Sequence, residues 1–124
     1  MDNVKPDIII ANLINMGAYK SRLSVKNILI RSFLSGALLG FATVLAFTTT
    51  TQTGLGVLGA LAFPVGFVMI ILLGFELVTG NFAIVPMAVM GHQTTIKNLF
   101  YNWAYSFIGN LIGSIFFGAL YCII

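Results

Sequence analysis

The sequence predicts an all-α membrane protein with three transmembrane helices, the second of them broken. Three observations carry that prediction. Of 124 residues, 59% are hydrophobic and only 7% are charged, and the mean hydropathy is +1.03; soluble domains carry about a quarter charged residues. The apolar runs at 27–47, 57–90 and 99–124 each reach the roughly 20 residues that cross a bilayer. Finally, Gly74-Phe75-Glu76-Leu77-Val78-Thr79-Gly80-Asn81 interrupts the second run with an acid, a hydroxyl, a glycine and an amide. The chain 1–124 reads as one membrane domain, without an internal repeat.

Residues 7–19 come first. Ile9, Leu13 and Met16, with Ile10 and Ile14, recur at helical spacing, which predicts an amphipathic helix too short and too polar to span. Pro6 suits its first turn. Such a helix lies in the membrane interface or packs on a neighbouring subunit. The first span, 27–47, carries Arg31 one turn inside, placed to snorkel to the headgroups. Its Ser32, Gly36 and Gly40 form a stripe of small residues that predicts close helix packing. The uncharged polar stretch Thr48–Gly54 reads as a loop.

The second span, 57–90, carries Phe63, Pro64 and Phe67. It is expected to break around Thr79-Gly80-Asn81, which are poor helix formers. Irregular backbone at membrane depth is tolerated only where it is buried in protein or lines a cavity, and transporters place substrate at such breaks. A half-helix then runs to about Met90. Because proline belongs in a first turn, it either begins at Ile84 or Val85 or kinks at Pro86. The third span, 99–124, holds Gly109-Asn110-Leu111-Ile112-Gly113, then Ser114 and Gly118, a second packing stripe. Trp103, with Tyr101 and Tyr105, fits an aromatic belt at the membrane surface.

Lys5, Lys20, Arg22, Lys26 and Arg31 precede or open the first span, and Lys97 lies between the second and third. Three crossings put all six cations on one side. The positive-inside rule then sets the N-terminus in the cytoplasm and Ile124 outward across the cytoplasmic (inner) membrane. An odd number of spans also means that a second copy of the unit in one chain enters inverted, with a site at the pseudo-twofold axis. The net charge of +3 does not point to nucleic acid, since the cations flank apolar spans without aromatic interleaving. No cleavable signal peptide is expected, because the first apolar span begins only near residue 27. The single Cys122 has no intrachain partner.

Several side chains have two readings each. Phe63 and Phe67 stand four apart on one helix face, as apolar collars of a pore or as ordinary packing. Thr79 offers a hydroxyl to an anion, with Asn81 and free N–H groups adding positive potential, or simply recaps the broken helix. Glu76, the sole acid inside a span, is a functional candidate by default. An ionised carboxylate would repel anions, so a structural role, accepting from backbone N–H groups of the break, is favoured over proton coupling. Asn102 and Asn110, about two turns apart, read as helix glue, together with Gly109 and Gly113. His92 sits in the Gly91-His92-Gln93-Thr94 loop without partners at metal-ligand spacing. No nucleophile–base pair, metal cluster or phosphate loop is present in the sequence, so neither enzyme chemistry nor a cofactor is expected.

These residues resemble the formate–nitrite transporter family, the formate, nitrite and hydrosulfide channels. The octet Gly74 to Asn81 matches its small-x-acid-Leu-x-Thr-Gly-Asn signature at the second-helix break. Asn102-Trp103 followed by Gly109-Asn110 and Gly113 resembles its third helix, and Gly17-Ala18-Tyr19-Lys20 its N-terminal helix. The matches cover nearly all of the chain. The resemblance implies a six-span, aquaporin-like inverted repeat, assembled into pentamers with a pore in each protomer. It places Thr79 at the pore centre, with Phe63 and Phe67 narrowing the path, and implies small monovalent anions as substrates.

The family's central histidine, from the fifth helix, has no counterpart here. The chain thus resembles the first half of a member, whether fragment, truncated product or half-size subunit. The one-sided cations argue against self-assembly in both orientations. Two rival readings remain: a neutral-solute pore of the aquaporin kind, which wants Asn-Pro-Ala where this chain has Thr-Gly-Asn, and a non-transporting membrane subunit.

Overall fold

A computed structural model describes residues 4–124; the first three residues of the expected 1–124 domain lie outside it. Six helices follow one another: α1 (Pro6–Ser21), α2 (Val25–Thr53), α3 (Gly56–Ala62), α4 (Pro64–Leu72), α5 (Val78–Met90) and α6 (Ile96–Ile123). No strand occurs among the described residues. Two of the helices, α2 and α6, are long and apolar enough to cross a bilayer. At 1.5 Å per residue each is about 40 Å long. Large apolar side chains face outward, with Leu72 78% and Ile123 81% exposed. That outer surface suits a hydrocarbon surround.

The α2–α6 pair is the spine of the molecule, and small residues set its spacing. Gly36 lies against the Asn110 backbone, Gly109 against Ser32 and Gly113 against the Phe33 carbonyl, each so close that a Cβ there would overlap the opposite helix. Further along, Gly40 meets the ring of Phe117, and the rings of Phe33 and Phe116 meet at 5.2 Å, tilted by 49°. The stripe expected on α6 ends early, however: nothing lies within 4 Å of a Cβ built on Gly118. The other face of α2 receives Gly59 of α3, against Ala46 and Thr50, and Gly66 of α4, against Ala42.

The polar stretch Thr48–Gly54 is not a loop. It continues α2 for two turns beyond the expected end of the first span at 47. Threonine hydroxyls make this possible by bonding back one turn. Thr49 donates to the Leu45 carbonyl at 2.7 Å, Thr51 to Phe47 at 2.8 Å and Thr53 to Thr49 at 2.7 Å. Each of these three hydroxyls is thereby satisfied within the helix. Gly54, at φ 70°, then stops it in the left-handed conformation that glycine tolerates best.

The run at 57–90 resolves into α3, α4 and α5. Phe63 joins α3 to α4 with helical angles (φ −56°, ψ −44°), so Pro64 opens a new helix without a change of direction in the dihedrals. The break falls at 73–77, ahead of Thr79-Gly80-Asn81. Gly74 adopts φ 68°; its N–H bonds the Ile71 carbonyl at 3.2 Å and the Phe75 N–H bonds Ile70 at 3.0 Å. This double closure is a Schellman stop. The threonine, glycine and asparagine instead form the first turn of α5, which starts at Val78 rather than at Ile84 or Val85. It stays helical through Pro86, which withholds only the hydrogen bond to the Phe82 carbonyl.

The N-terminal helix packs inside its own chain, on α5 and α6. Its buried face is Gly17, Ala18 and Ser21, while Ile9 and Met16 of the expected apolar stripe are exposed. Gly17 sits against the Ile84 carbonyl, and Ile14 covers Gly91.

A direct check follows from the two glycines of α6. Gly113→Ala must push α2 and α6 apart and is expected to cost about 1–3 kcal/mol. Gly118→Ala meets open space and is expected to be neutral or to stabilise by up to about 1 kcal/mol. Thermal unfolding of the detergent-solubilised variants measures both. Equal melting temperatures would contradict the packing described.

Candidate functional site

A helix broken inside an apolar surround leaves backbone groups without partners, and α6 supplies them. The carboxamide of Asn110 accepts from the Val78 N–H at 2.8 Å, donates to the Glu76 carbonyl at 2.9 Å and donates to the Ser32 carbonyl at 2.8 Å. One buried side chain thus caps α5, holds the break and ties both to α2. One and two turns back toward the N-terminus of α6, Ser106 and Asn102 accept from Asn81 Nδ2, each at 3.0 Å. Asn102 Nδ2 in turn donates to the Lys20 carbonyl at 3.0 Å.

Glu76 is 1% exposed. The sequence reading gave its carboxylate to backbone N–H groups of the break. The structure gives it to side chains: Oε1 to Lys20 Nζ at 2.9 Å and Oε2 to Asn81 Nδ2 at 2.8 Å. Of the N–H groups that open α5, that of Val78 is held by Asn110 and that of Asn81 reaches the Leu77 carbonyl. The acid is therefore neutralised in place by a cation from the end of α1.

Beside this network lies a cavity of about 670 Å³. Thr79, Gly80 and Asn81 line it from α5, and Phe67 from α4. Lys20 and Arg31 bring cations to its wall. Thr79 is exposed to it, and its hydroxyl has no hydrogen-bond partner among the described residues. The same holds for the backbone N–H groups of Thr79 and Gly80. A Cβ built on Gly80 meets nothing within 4 Å, so this turn presents backbone to the open space. Phe63 packs edge to face on Phe67 at 5.3 Å but does not line the cavity. A smaller hollow of about 340 Å³ between α2 and α6 is walled by apolar groups such as Leu29, Phe33 and Ile112 and offers a ligand no polar group.

Asn102, Asn110, Gly109 and Gly113 all lie buried on α6, turned to the network and to α2 rather than to the cavity. His92 stands apart in its loop, with φ 58°. Three participants were hidden in the sequence. Lys20 is 56 positions from its partner Glu76, and nothing local marks the pair. Trp103, read as part of an aromatic belt, also touches the site. Its Nε1 donates to the Asn81 carbonyl at 3.1 Å, and its ring packs edge-on against Phe82 and Phe100. Arg31 reaches toward the break, its guanidinium 3.5 Å from the Gly74 carbonyl.

All helices, an apolar exterior and a cavity at a helix break fit a helical membrane protein. Comparison with known proteins makes the class specific: the formate/nitrite transporter family matches residues 7–124, and the chain belongs to it. It is 34% identical over 118 residues to the uncharacterized transporter YrhG of Bacillus subtilis, covering 90% of this chain and 44% of the relative. It is 31% identical over 124 residues to the formate channel BtFdhC of Bacillus thuringiensis, covering 95% and 47%. A probable formate transporter of Methanothermobacter thermautotrophicus is 33% identical over 106 residues, covering 78% and 38%. The chain spans less than half the length of these relatives. No solved structure matches it.

The ion pair can be tested by a double-mutant cycle. Glu76→Gln strands a largely buried ammonium and is expected to cost about 3–5 kcal/mol. Adding Lys20→Met removes the stranded charge and should recover most of that loss. Melting temperatures in detergent give the cycle, and additive single effects would show that the two groups do not interact.

Proposed function

We propose that this chain forms one half of a pore that passes small monovalent anions, formate, nitrite or hydrosulfide, across the cytoplasmic membrane. The observation that carries this reading is the first turn of α5. There an unpartnered Thr79 hydroxyl and two free N–H groups face the cavity at the positive end of a helix. Partial charges of this kind attract an anion without trapping it. Permeation needs that balance, since a site must bind well enough to admit and weakly enough to release. The Glu76 carboxylate, which would oppose an anion, lines the same cavity but is paired with Lys20 and Asn81. Phe67 offers an apolar wall that disfavours fully hydrated ions.

In this reading α2, the α3–α4–break–α5 segment and α6 make three crossings, with the N-terminus cytoplasmic. The placement of the cations supports it. So do the contacts that hold the α1–α2 junction to the α5–α6 loop: Arg22 donates to the Gln93 carbonyl at 3.0 Å, and the Ser21 and Thr94 hydroxyls share a hydrogen bond of 2.7 Å. The names of the formate channel and formate transporter among the relatives support the substrate class. An inverted partner half and assembly into pentamers complete the proposal, by likeness to the family.

The deciding variant is Thr79→Val in the complete gene product. It keeps the side-chain shape but deletes the donor, and one exposed hydrogen bond is worth only about 0.5–1.5 kcal/mol to the fold. Normal membrane yield with reduced formate or nitrite uptake is expected, and Thr79→Ser should retain most activity. A valine variant that conducts like the parent would leave this turn a structural break only.

A further inference from the structure

The cavity holds more positive charge than its ion pair uses. The whole chain has three acidic residues. Glu76 is committed to Lys20, and Asp7 sits in the first turn of α1, at the opposite end of that helix from Lys20. Lys20–Glu76 is the only ion pair among the described residues. The third acid, Asp2, lies outside the described residues, and among those residues Arg31, on the cavity wall, has no acidic partner. Its guanidinium has five donors but makes only two long contacts, to the Gly74 carbonyl and the Tyr19 hydroxyl, each at 3.5 Å. Tyr19 lines the same cavity, and by accepting from Arg31 it keeps its own O–H free to donate.

We infer that Arg31 draws anions into this cavity and favours those with two coplanar oxygens, formate and nitrite, over hydrosulfide. The inference rests on the anion-pore reading above and adds a residue that sets selectivity. A planar guanidinium offers two parallel N–H groups to a carboxylate-like pair of oxygens, a match that a single sulfur atom cannot make. The long bonds to Gly74 and Tyr19 are weak enough to yield when an oxyanion arrives. Lying between α2 and the break, Arg31 receives the anion just before the turn that carries Thr79, and the Tyr19 hydroxyl adds a neutral donor beside it.

A merely structural arginine would cap the carbonyl end of α4 through Gly74 and leave selectivity untouched. The test therefore reads a ratio. Initial uptake of formate, nitrite and hydrosulfide is measured at sub-saturating concentration in proteoliposomes of the complete gene product, its Arg31→Gln variant and its Arg31→Lys variant. Arg31→Gln is expected to lower formate and nitrite uptake about tenfold, the cost of one charge-assisted contact, mainly as a raised KM. Arg31→Lys keeps the charge and a donor for Gly74, so hydrosulfide uptake should return to the parent level. The fork is lost, so formate and nitrite should stay several-fold below it.

A formate-to-hydrosulfide ratio unchanged in both variants overturns the inference while leaving the pore reading intact. If the glutamine variant fails to accumulate in membranes, the lysine variant alone decides by the same ratio. A parent protein that passes none of the three anions overturns the pore reading and this inference with it.

Discussion

Polar groups of an interrupted helix must find a partner inside protein or face a cavity when the surround is hydrocarbon, and one carboxamide holds the centre of this break. Asn110 bonds the N–H that opens α5, the carbonyl of Glu76 in the break and the carbonyl of Ser32 on α2. It can do so because the glycines around it let two long helices touch backbone to backbone. Gly36 faces Asn110 itself, and Gly109 and Gly113 on either side face Ser32 and Phe33. Close packing and the broken helix are thus one arrangement: widen the α2–α6 spacing and the break loses its partner.

The charged part of the network builds on that frame. Asn81 Nδ2 has two hydrogens and three acceptors within 3.0 Å, the carboxylate being nearest at 2.8 Å. Glu76 thereby gains a neutral donor on one oxygen and an ammonium on the other. Pairing of this kind is what makes a buried charge tolerable. The same contacts fix α1, since Lys20 is held at its ammonium by Glu76 and at its carbonyl by Asn102. The turn that faces the cavity is left with unpaired donors, and the Glu76 carboxylate lining the same cavity is already paired.

Much of the fold was legible because hydropathy reports directly on burial in lipid. The family assignment was also legible, because the octet around Glu76 and the Asn102–Gly113 pattern are specific in order and spacing. What the sequence misplaced has common physical causes. The break was expected at Thr79-Gly80-Asn81 on helix propensity, yet propensity is a weak prior against tertiary bonds. Asparagine disfavours helices by bonding nearby backbone, and the Asn81 side chain is occupied elsewhere. The real stop was marked by Gly74, whose left-handed angle one dimension does not show. The threonines after Thr48 read as polar loop although their hydroxyls turn inward to carbonyls. Lys20, Arg31 and Trp103 were read by the rules that govern membrane edges. Those rules describe residues by depth and not by which neighbour the fold brings to them.

Trp103 carries a consequence of its own. It is the only tryptophan of the chain, and its indole N–H is bonded to the carbonyl of Asn81, in the turn that faces the cavity. Tryptophan emission from this chain therefore originates beside the turn that faces the cavity. The protein comes with its own optical gauge: a shift of that turn changes the polarity around a single chromophore, and the emission wavelength follows without any label attached.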